Sequence, residues 1–264
     1  MSNSKPALTP QQKYFSELKT FEAIKKYKEL LAGPTASWRY FFALEIFQFL
    51  LGGIPGLIGL ILRGLVYPSI LGACRGLPAI GRSVTIKQSK KIKLGKGVLI
   101  DDFVTLEVRG ARGSITLENN VAIGRLSTIV AKSGTIFLEQ GVNIATYCRI
   151  ATQSSISIGE STLIAAYCYI GPGNHQVGDG SIPLIEQPME IKGGVSIGKN
   201  VWIGAHTTVL DGVTIGDGAI IGAHTLVKTD IPAGAVAVGI PARIISSSEA
   251  LKNRYRSLPD EQTC

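Results

Sequence analysis

Charge is scarce in this 264-residue chain: 17% of residues are charged, against about 25% in an average soluble domain, and 45% are hydrophobic. That balance excludes a disordered chain and leaves ample apolar surface for one sizeable core. Paired cysteines are also missing. Cys74, Cys148, Cys168 and Cys264 form no CxxC pair and no Cys/His cluster, which excludes a zinc ribbon and a secreted disulfide framework and makes a reducing cytosol the expected compartment. The first 36 residues show no short apolar segment behind a basic start, so no signal peptide is expected. An uninterrupted membrane span is lacking as well. The uncharged run from Ile46 to Leu62 is 17 residues long, at the lower limit for spanning, and Gly52-Gly53-Ile54-Pro55-Gly56 breaks it in the middle.

The charge that is present is unevenly placed. Residues 1–100 hold 15 Lys and Arg against 4 acids, whereas residues 101–264 hold 12 against 15. A basic excess beside apolar sequence points to an anionic membrane surface, and no stripe of Arg, Lys and aromatics marks a nucleic-acid interface. Thr9-Pro10 starts a helical pattern in which Tyr14, Leu18, Phe21, Ile24, Tyr27 and Leu31 recur, with Lys13, Lys19, Lys25 and Lys26 on the other face and Gly33-Pro34 as the stop. Residues 1–36 are thus an amphipathic basic helix, suited to a membrane or to packing on its own protein. Residues 37–78 form an apolar helical hairpin. Basic flanks on both sides favour a re-entrant or interfacial hairpin on the cytoplasmic face, with membrane contact through residues 10–72; burial against one end of a soluble core is the alternative.

From residue 79 to 245 aliphatic residues recur every six positions. Ile197, Ile203, Val209, Ile215, Ile221 and Val227 form the clearest run, and Val201, Thr207, Val213, Ala219, Thr225 and Ile231 follow each by four. Upstream the spacing comes in triples: Leu94, Ile100, Leu106; Leu117, Ile123, Ile129; Leu138, Ile144, Ile150; Ile158, Ile164, Ile170. Each hexamer is read as one short strand and a turn, three hexamers as one triangular coil, and about seven stacked coils as a prism of roughly 30 Å. Glycine after the aliphatic marks a position where a Cβ would be strained. Residues 246–264 are expected to form a C-terminal helix and tail.

These repeats resemble the hexapeptide-repeat acyltransferases, most specifically in Val195-Ser196-Ile197-Gly198-Lys199-Asn200-Val201-Trp202-Ile203-Gly204, Asp211-Gly212-Val213-Thr214-Ile215-Gly216 and Ala237-Val238-Gly239-Ile240-Pro241-Ala242-Arg243. The pattern is most similar to the maltose, galactoside and exopolysaccharide O-acetyltransferase branch. The resemblance implies a mainly β fold, a left-handed parallel β-helix, assembled as a homotrimer with active sites at subunit interfaces. It implies acetyl-CoA as donor and a saccharide, glycolipid or lipid-linked alcohol as acceptor.

The longest interruption of the repeat, between Ile170 and Ile197, holds Gly171-Pro172-Gly173-Asn174-His175-Gln176. Long insertions in a tight solenoid tend to be functional. The resemblance makes His175 the general base, and an imidazole suits proton transfer near neutral pH. Asp179, Glu186, Glu190 or a backbone carbonyl would orient it. The resemblance further implies that Trp202 contacts the donor near its thioester, that Gly204, Ala205, Gly222 and Ala223 line its arm, and that Lys228 and Arg243 meet its phosphates. Two departures stand out. Relatives read Thr-Lys-Asp where this chain has Lys228-Thr229-Asp230, and no asparagine on the coil before the insertion matches the one that holds simple sugars. His206 and His224, 18 apart, stack one coil apart on one face without the three-histidine set of a zinc site, so no metal is expected. Cys148 and Cys168 read as buried inward thiols. A soluble xenobiotic, serine or small-sugar acetyltransferase, or a noncatalytic scaffold, would carry the same coils.

Overall fold

An aliphatic side chain at every sixth residue can point to one axis only if the backbone turns a corner once per hexamer. The computed structural model, which describes residues 20–171, 173–176, 178 and 182–250, is built in that way. Three parallel sheets form the faces of a prism. The first runs from Ala73–Cys74 to Thr214–Ile215 and the third from Thr85–Lys87 to Leu226–Val227, each with seven strands. The second starts at Ala79–Ile80, reaches Ile220–Ile221, and ends with Ala235–Val238 and Arg243–Ser247. The chain visits the three faces in turn, giving a parallel β-solenoid of about seven coils.

The register places like residues on like residues. Ile136 pairs with Ile115 and Ile156, Ile144 with Ile123 and Ile164, and Ile150 with Ile129 and Ile170. Every aliphatic of the four triples is buried, as is the run from Ile197 to Val227. The residues four places on, Val201 to Ile231, are buried too, so each hexamer contributes two inward groups. The glycines after the aliphatics are explained by contact. A Cβ on Gly204 would stand 2.5 Å from the Ala223 nitrogen, and one on Gly216 would stand 2.3 Å from the Ala233 nitrogen of the next coil. Positive φ falls two residues later, at positions such as Asn200 and His206.

Between the triples the extra residues all gather at one edge of the prism, where the third face turns into the first. Gly110–Gly113, Ser133–Gly134 and Gln153–Ser154 each fill that corner, and the insertion after Ile170 leaves from the same place. One edge is thus free to vary in length while the other two keep strict hexamers.

Both ends of the solenoid differ from the sequence reading. Coiling starts at Ala73–Cys74, paired with Lys93–Leu94, and not at residue 79. Cys74 occupies the inward place six residues before Ile80, where an aliphatic would have announced the repeat. At the other end Arg243–Ser247 doubles back as an antiparallel strand on Ala235–Val238, and helical backbone starts only at Ser248. That strand covers an edge that would otherwise expose unpaired N–H and C=O groups. The N-terminal half of the first helical pattern, including Thr9-Pro10, Lys13 and Lys19, and the tail with Cys264 lie outside the described residues.

Three helices close the first coil: α1 (Thr20–Ala32), α2 (Trp38–Leu51) and α3 (Gly56–Ile70). The α2–α3 pair is the expected hairpin, broken at Gly52–Pro55. Leu31, Phe41, Leu44, Tyr67 and Ile70 join the solenoid core. Backbone N–H groups at corners of the first coil also serve the helix ends, Gln88 donating to Leu31 O and Ser83 to Gly52 O, both at 2.6 Å. The central fixture is Arg63, only 2% exposed. Its Nε donates to Ile80 O at 2.8 Å, and its Nη1 donates to Leu51 O at 3.0 Å and Ile54 O at 2.7 Å. One guanidinium therefore satisfies the carbonyls of the helix break and ties them to the first coil. The hairpin packs on the coil as the burial alternative requires, yet its outward side stays apolar: Phe42, Ile46, Phe49, Leu57, Ile58 and Ile61 are exposed, Phe49 at 86%. No described helix is long and apolar enough to cross a membrane.

Arg63→Met should leave those three carbonyls without donors and lower unfolding stability by about 3 kcal/mol, read from urea denaturation followed by circular dichroism.

Candidate active site

The variable edge carries the candidate base. Within the insertion Asn174–His175 pairs antiparallel with Met189–Glu190, so the segment rises from the corner as a short two-stranded ribbon. Gln176 N donates to Pro188 O at 2.9 Å and extends the ladder. His175 is exposed, and its Nδ1 lies 3.3 Å from Gln187 O. A carbonyl can only accept, so this bond requires the proton on Nδ1 and leaves Nε2 of the neutral ring with a free lone pair. Of the groups expected to orient the ring, a backbone carbonyl is the one at hydrogen-bond distance among the described residues. Glu190 instead sits opposite Asn174 and pairs with Lys192, and Asp179 lies outside the described residues.

Gln187 was not singled out from sequence. It is buried, its Oε1 accepts from Gly178 N at 2.6 Å, and its Nε2 donates to Ile182 O at 3.3 Å. This one side chain closes the loop whose backbone carbonyl holds the imidazole. Its partners lie nine and five residues away in irregular sequence, which has no period to reveal them. Between the ribbon and the third face is a cavity of about 90 Å³, lined among others by Lys132, Arg149, Thr152, Tyr169, Met189 and Glu190. The Arg149 guanidinium lies over the Tyr169 ring, 5.9 Å from its centroid.

The residues assigned to the donor form a second patch. Trp202, 50% exposed, is on the outer side of the second face, paired with Leu163 and Ile220. Gly204 and Gly222 follow at the corner between second and third faces, one coil apart. Ala205 O accepts from His224 N at 2.8 Å, and Ala223 follows Gly222, so the four small residues are contiguous. Their close fit to the next coil accounts for the glycines. Lys228 is exposed just after Leu226–Val227, while Asp230 is engaged by Thr214 N at 2.7 Å. Arg243 opens the final strand, opposite Val238. Within one chain the two patches stay apart, because His175 rises from the edge between third and first faces and Trp202 is on the second.

His206 and His224 stack with ring centroids 4.6 Å apart, and the column continues through Tyr167 and Tyr147 at 4.7 and 4.9 Å. All four have φ near +60°, the corner conformation that aims the side chain outward, and parallel stacking accounts for their alignment. Among the described residues no group of three or more His, Cys, Asp or Glu could hold a metal ion. Cys148 and Cys168 are buried and unpaired, their Sγ atoms directed at Ala165 O and Gly204 O. The hydrogen bond with Cys148, together with burial, pushes the Cys168 thiol well above its ordinary value, so it stays protonated.

The sequence model of the bacterial transferase hexapeptide family (six repeats) matches residues 194–229. WbbJ of Escherichia coli K12, named for lipopolysaccharide-biosynthesis O-acetyl transfer, is 36% identical over 140 residues, which cover 50% of this chain and 71% of that protein. This chain belongs to the hexapeptide-repeat transferase family. A protein of Mycobacterium tuberculosis H37Rv named as an acetyltransferase is 32% identical over 178 residues, or 66% of this chain, which spans about half (51%) of the mycobacterial protein. Among solved structures, the polySia-specific acetyltransferase NeuO is similar at 21% identity and a TM-score of 0.49, with 66% of this chain and 80% of that one covered. The family matches and the solenoid fall on the same coils, while the three helices lie outside the matched repeats.

Gln187→Ala should free the loop without unfolding the coils. Amide exchange at Gly178 is expected to rise at least tenfold, the loss of roughly one good hydrogen bond, while exchange at Ile203 and Ile221 stays unchanged.

Proposed function

We propose that this protein is an O-acetyltransferase that moves an acetyl group from acetyl-CoA to a hydroxyl of a saccharide, glycolipid or lipid-linked acceptor, with His175 as general base. One observation carries the reading: in a member of this family, the longest insertion holds an imidazole whose Nδ1 lies 3.3 Å from a backbone carbonyl, the contact that would leave Nε2 of the neutral ring as acceptor. In the proposed reaction His175 Nε2 takes the proton of the acceptor hydroxyl as that oxygen bonds to the thioester carbonyl carbon. His175 then returns the proton to the departing thiolate sulfur, so the enzyme ends unchanged. The Gln187 carbonyl stabilises the transient imidazolium.

The separation of His175 from Trp202 supports a homotrimer in which one subunit's insertion meets the neighbour's second face. There Trp202, Gly204, Ala205, Gly222 and Ala223 would hold the pantetheine arm, with Lys228 and Arg243 toward the phosphates. The outward apolar side of the hairpin and the basic first hundred residues support attachment to the cytoplasmic face of a membrane, where an amphipathic acceptor is found. The name of WbbJ, which refers to lipopolysaccharide, favours a saccharide acceptor.

The test is transfer of label from radioactive acetyl-CoA into a native membrane lipid extract and, separately, into a panel of soluble sugars and amines. His175→Ala should lower the rate about 10²- to 10⁴-fold. Undiminished transfer in that variant would end the assignment. Label confined to soluble acceptors would favour a xenobiotic or small-sugar enzyme, and no transfer at all would favour a scaffold. Trp202→Ala should raise the KM for acetyl-CoA about tenfold, roughly 1.4 kcal/mol of binding. Light scattering should find three copies of the 28.0 kDa chain.

A further inference from the structure

Where the α1–α2 turn faces the first coils, the structure has a cleft of about 530 Å³ that the acetyl-transfer reading does not use. Its walls are mostly apolar, including Ala32, Pro34, Ala36 and the ring of Tyr40, and its rim holds Lys90 and Lys91. Lys90 Nζ donates to Ser69 O at 3.1 Å and Leu71 O at 3.4 Å, at the C-terminal end of α3, and also lies over the Tyr40 ring. Lys91 Nζ donates to Gly110 O and Ala111 O. Both ammoniums are therefore fixed by backbone carbonyls, and among the described residues neither is paired with a carboxylate. Two lysines in the wall of one cleft, without an acid beside them, carry positive charge that an anion would offset.

A second observation is independent of charge. Gln88, only 6% exposed, also lines the cleft, and its Oε1 has no hydrogen-bond partner. A buried amide oxygen left alone is costly, and a turn of the Gln88 side chain toward the cleft would let the hydroxyl of a bound group satisfy it. The third observation is location. Trp38, at the start of α2, is next to the cleft, and from it the exposed apolar residues Phe42, Ile46 and Phe49 run along the helix. A helix side that carries this much exposed apolar surface calls for a further apolar neighbour. At 14 and 15 residues, α2 and α3 are about 21–23 Å long, too short to cross a bilayer and well suited to lying along it.

We infer that this cleft binds the phosphate-bearing, hydroxylated head group of an anionic membrane lipid, at the end of the apolar face that the hairpin lays on the bilayer. Phosphatidylglycerol has the required chemistry: a phosphate for Lys90 and Lys91, hydroxyls for Gln88, and acyl chains that continue onto the apolar side of α2. The inference rests on the membrane-facing reading of the hairpin and adds a specific lipid class and site to it.

The experiment is vesicle co-sedimentation of the full chain with phosphatidylcholine alone and with phosphatidylcholine containing phosphatidylglycerol. The wild type should bind the anionic vesicles more tightly. Lys90→Gln combined with Lys91→Gln should weaken that binding about twenty-fivefold, roughly fivefold per lysine, and leave binding to pure phosphatidylcholine unchanged. Phe49→Ser combined with Ile58→Ser should weaken binding to both vesicles. If the double lysine variant is unfolded by circular dichroism, Lys91→Gln alone carries the test, because Lys91 does not cap α3. Equal wild-type binding to both vesicles, or an anionic preference that survives loss of the lysines, would overturn the lipid site but leave membrane attachment standing. No binding to either vesicle would overturn both. A rise in melting temperature with inorganic phosphate, lost in the lysine variants and accompanied by release from vesicles, would assign the cleft to a soluble phosphate instead and overturn the lipid inference.

Discussion

Everything in this molecule depends on the hydrogen-bonded ladder between successive coils. Successive coils pair in parallel on each face, so backbone N–H groups of one coil donate to carbonyls of the next: Ala145 to Ile164, Ala165 to Ile203, Gly204 to Ile221. The ladder holds the coils close enough that a Cβ on Gly204 would meet the neighbouring backbone, and the same proximity fills the prism with one aliphatic layer per coil. Length can change only where the chain leaves the ladder. That is why every insertion gathers at one edge, and why the histidine-bearing ribbon is found there.

A ladder of parallel strands has two open ends, and this chain closes them by different means. The last strand reverses, so Arg243–Ser247 pairs antiparallel with Ala235–Val238. The first coil is closed by helices whose terminal carbonyls take N–H groups from the coil and, at the hairpin break, the guanidinium of Arg63. Burying an arginine at a lid is costly unless its donors are used, and here three carbonyls use them. The lid's outer surface is exposed and apolar among the described residues. A surface of that kind is the usual mark of an interaction site.

Most of the fold was legible because the hexamer period is a physical requirement of each coil. Ile123, Ile144, Ile164, Ile203 and Ile221 are spaced by residues that must go elsewhere, and all five face the axis. The break in the hairpin was legible from Gly52 to Pro55, and the stacking of His206 on His224 from their separation of three hexamers. The ends of the solenoid were not legible. Cys74 takes an aliphatic's place at the start, and the final strand pairs in the opposite direction, to which a parallel period is blind. The hairpin's two sides differ in a way the sequence did not separate: Phe41 and Leu44 are buried in the core with the coil, and Phe42 and Phe49 are exposed.

At the candidate site the division is sharper. The amino-acid sequence determined the solenoid, the position of its long insertion and the presence of one histidine there, because period and residue type are local properties. Only the tertiary structure decided how that histidine is held. The Gln187 carbonyl reaches His175 through a ribbon pairing 174–175 with 189–190, and the Gln187 side chain closes the loop by bonds to Gly178 and Ile182. These contacts join residues in an aperiodic segment, where no spacing rule limits the partners. The same holds for the basic cleft under the α1–α2 turn. Lys90, Lys91 and Gln88 are ordinary residues of the first coil until the helices fold over them and turn a solvated strand corner into a partly apolar site.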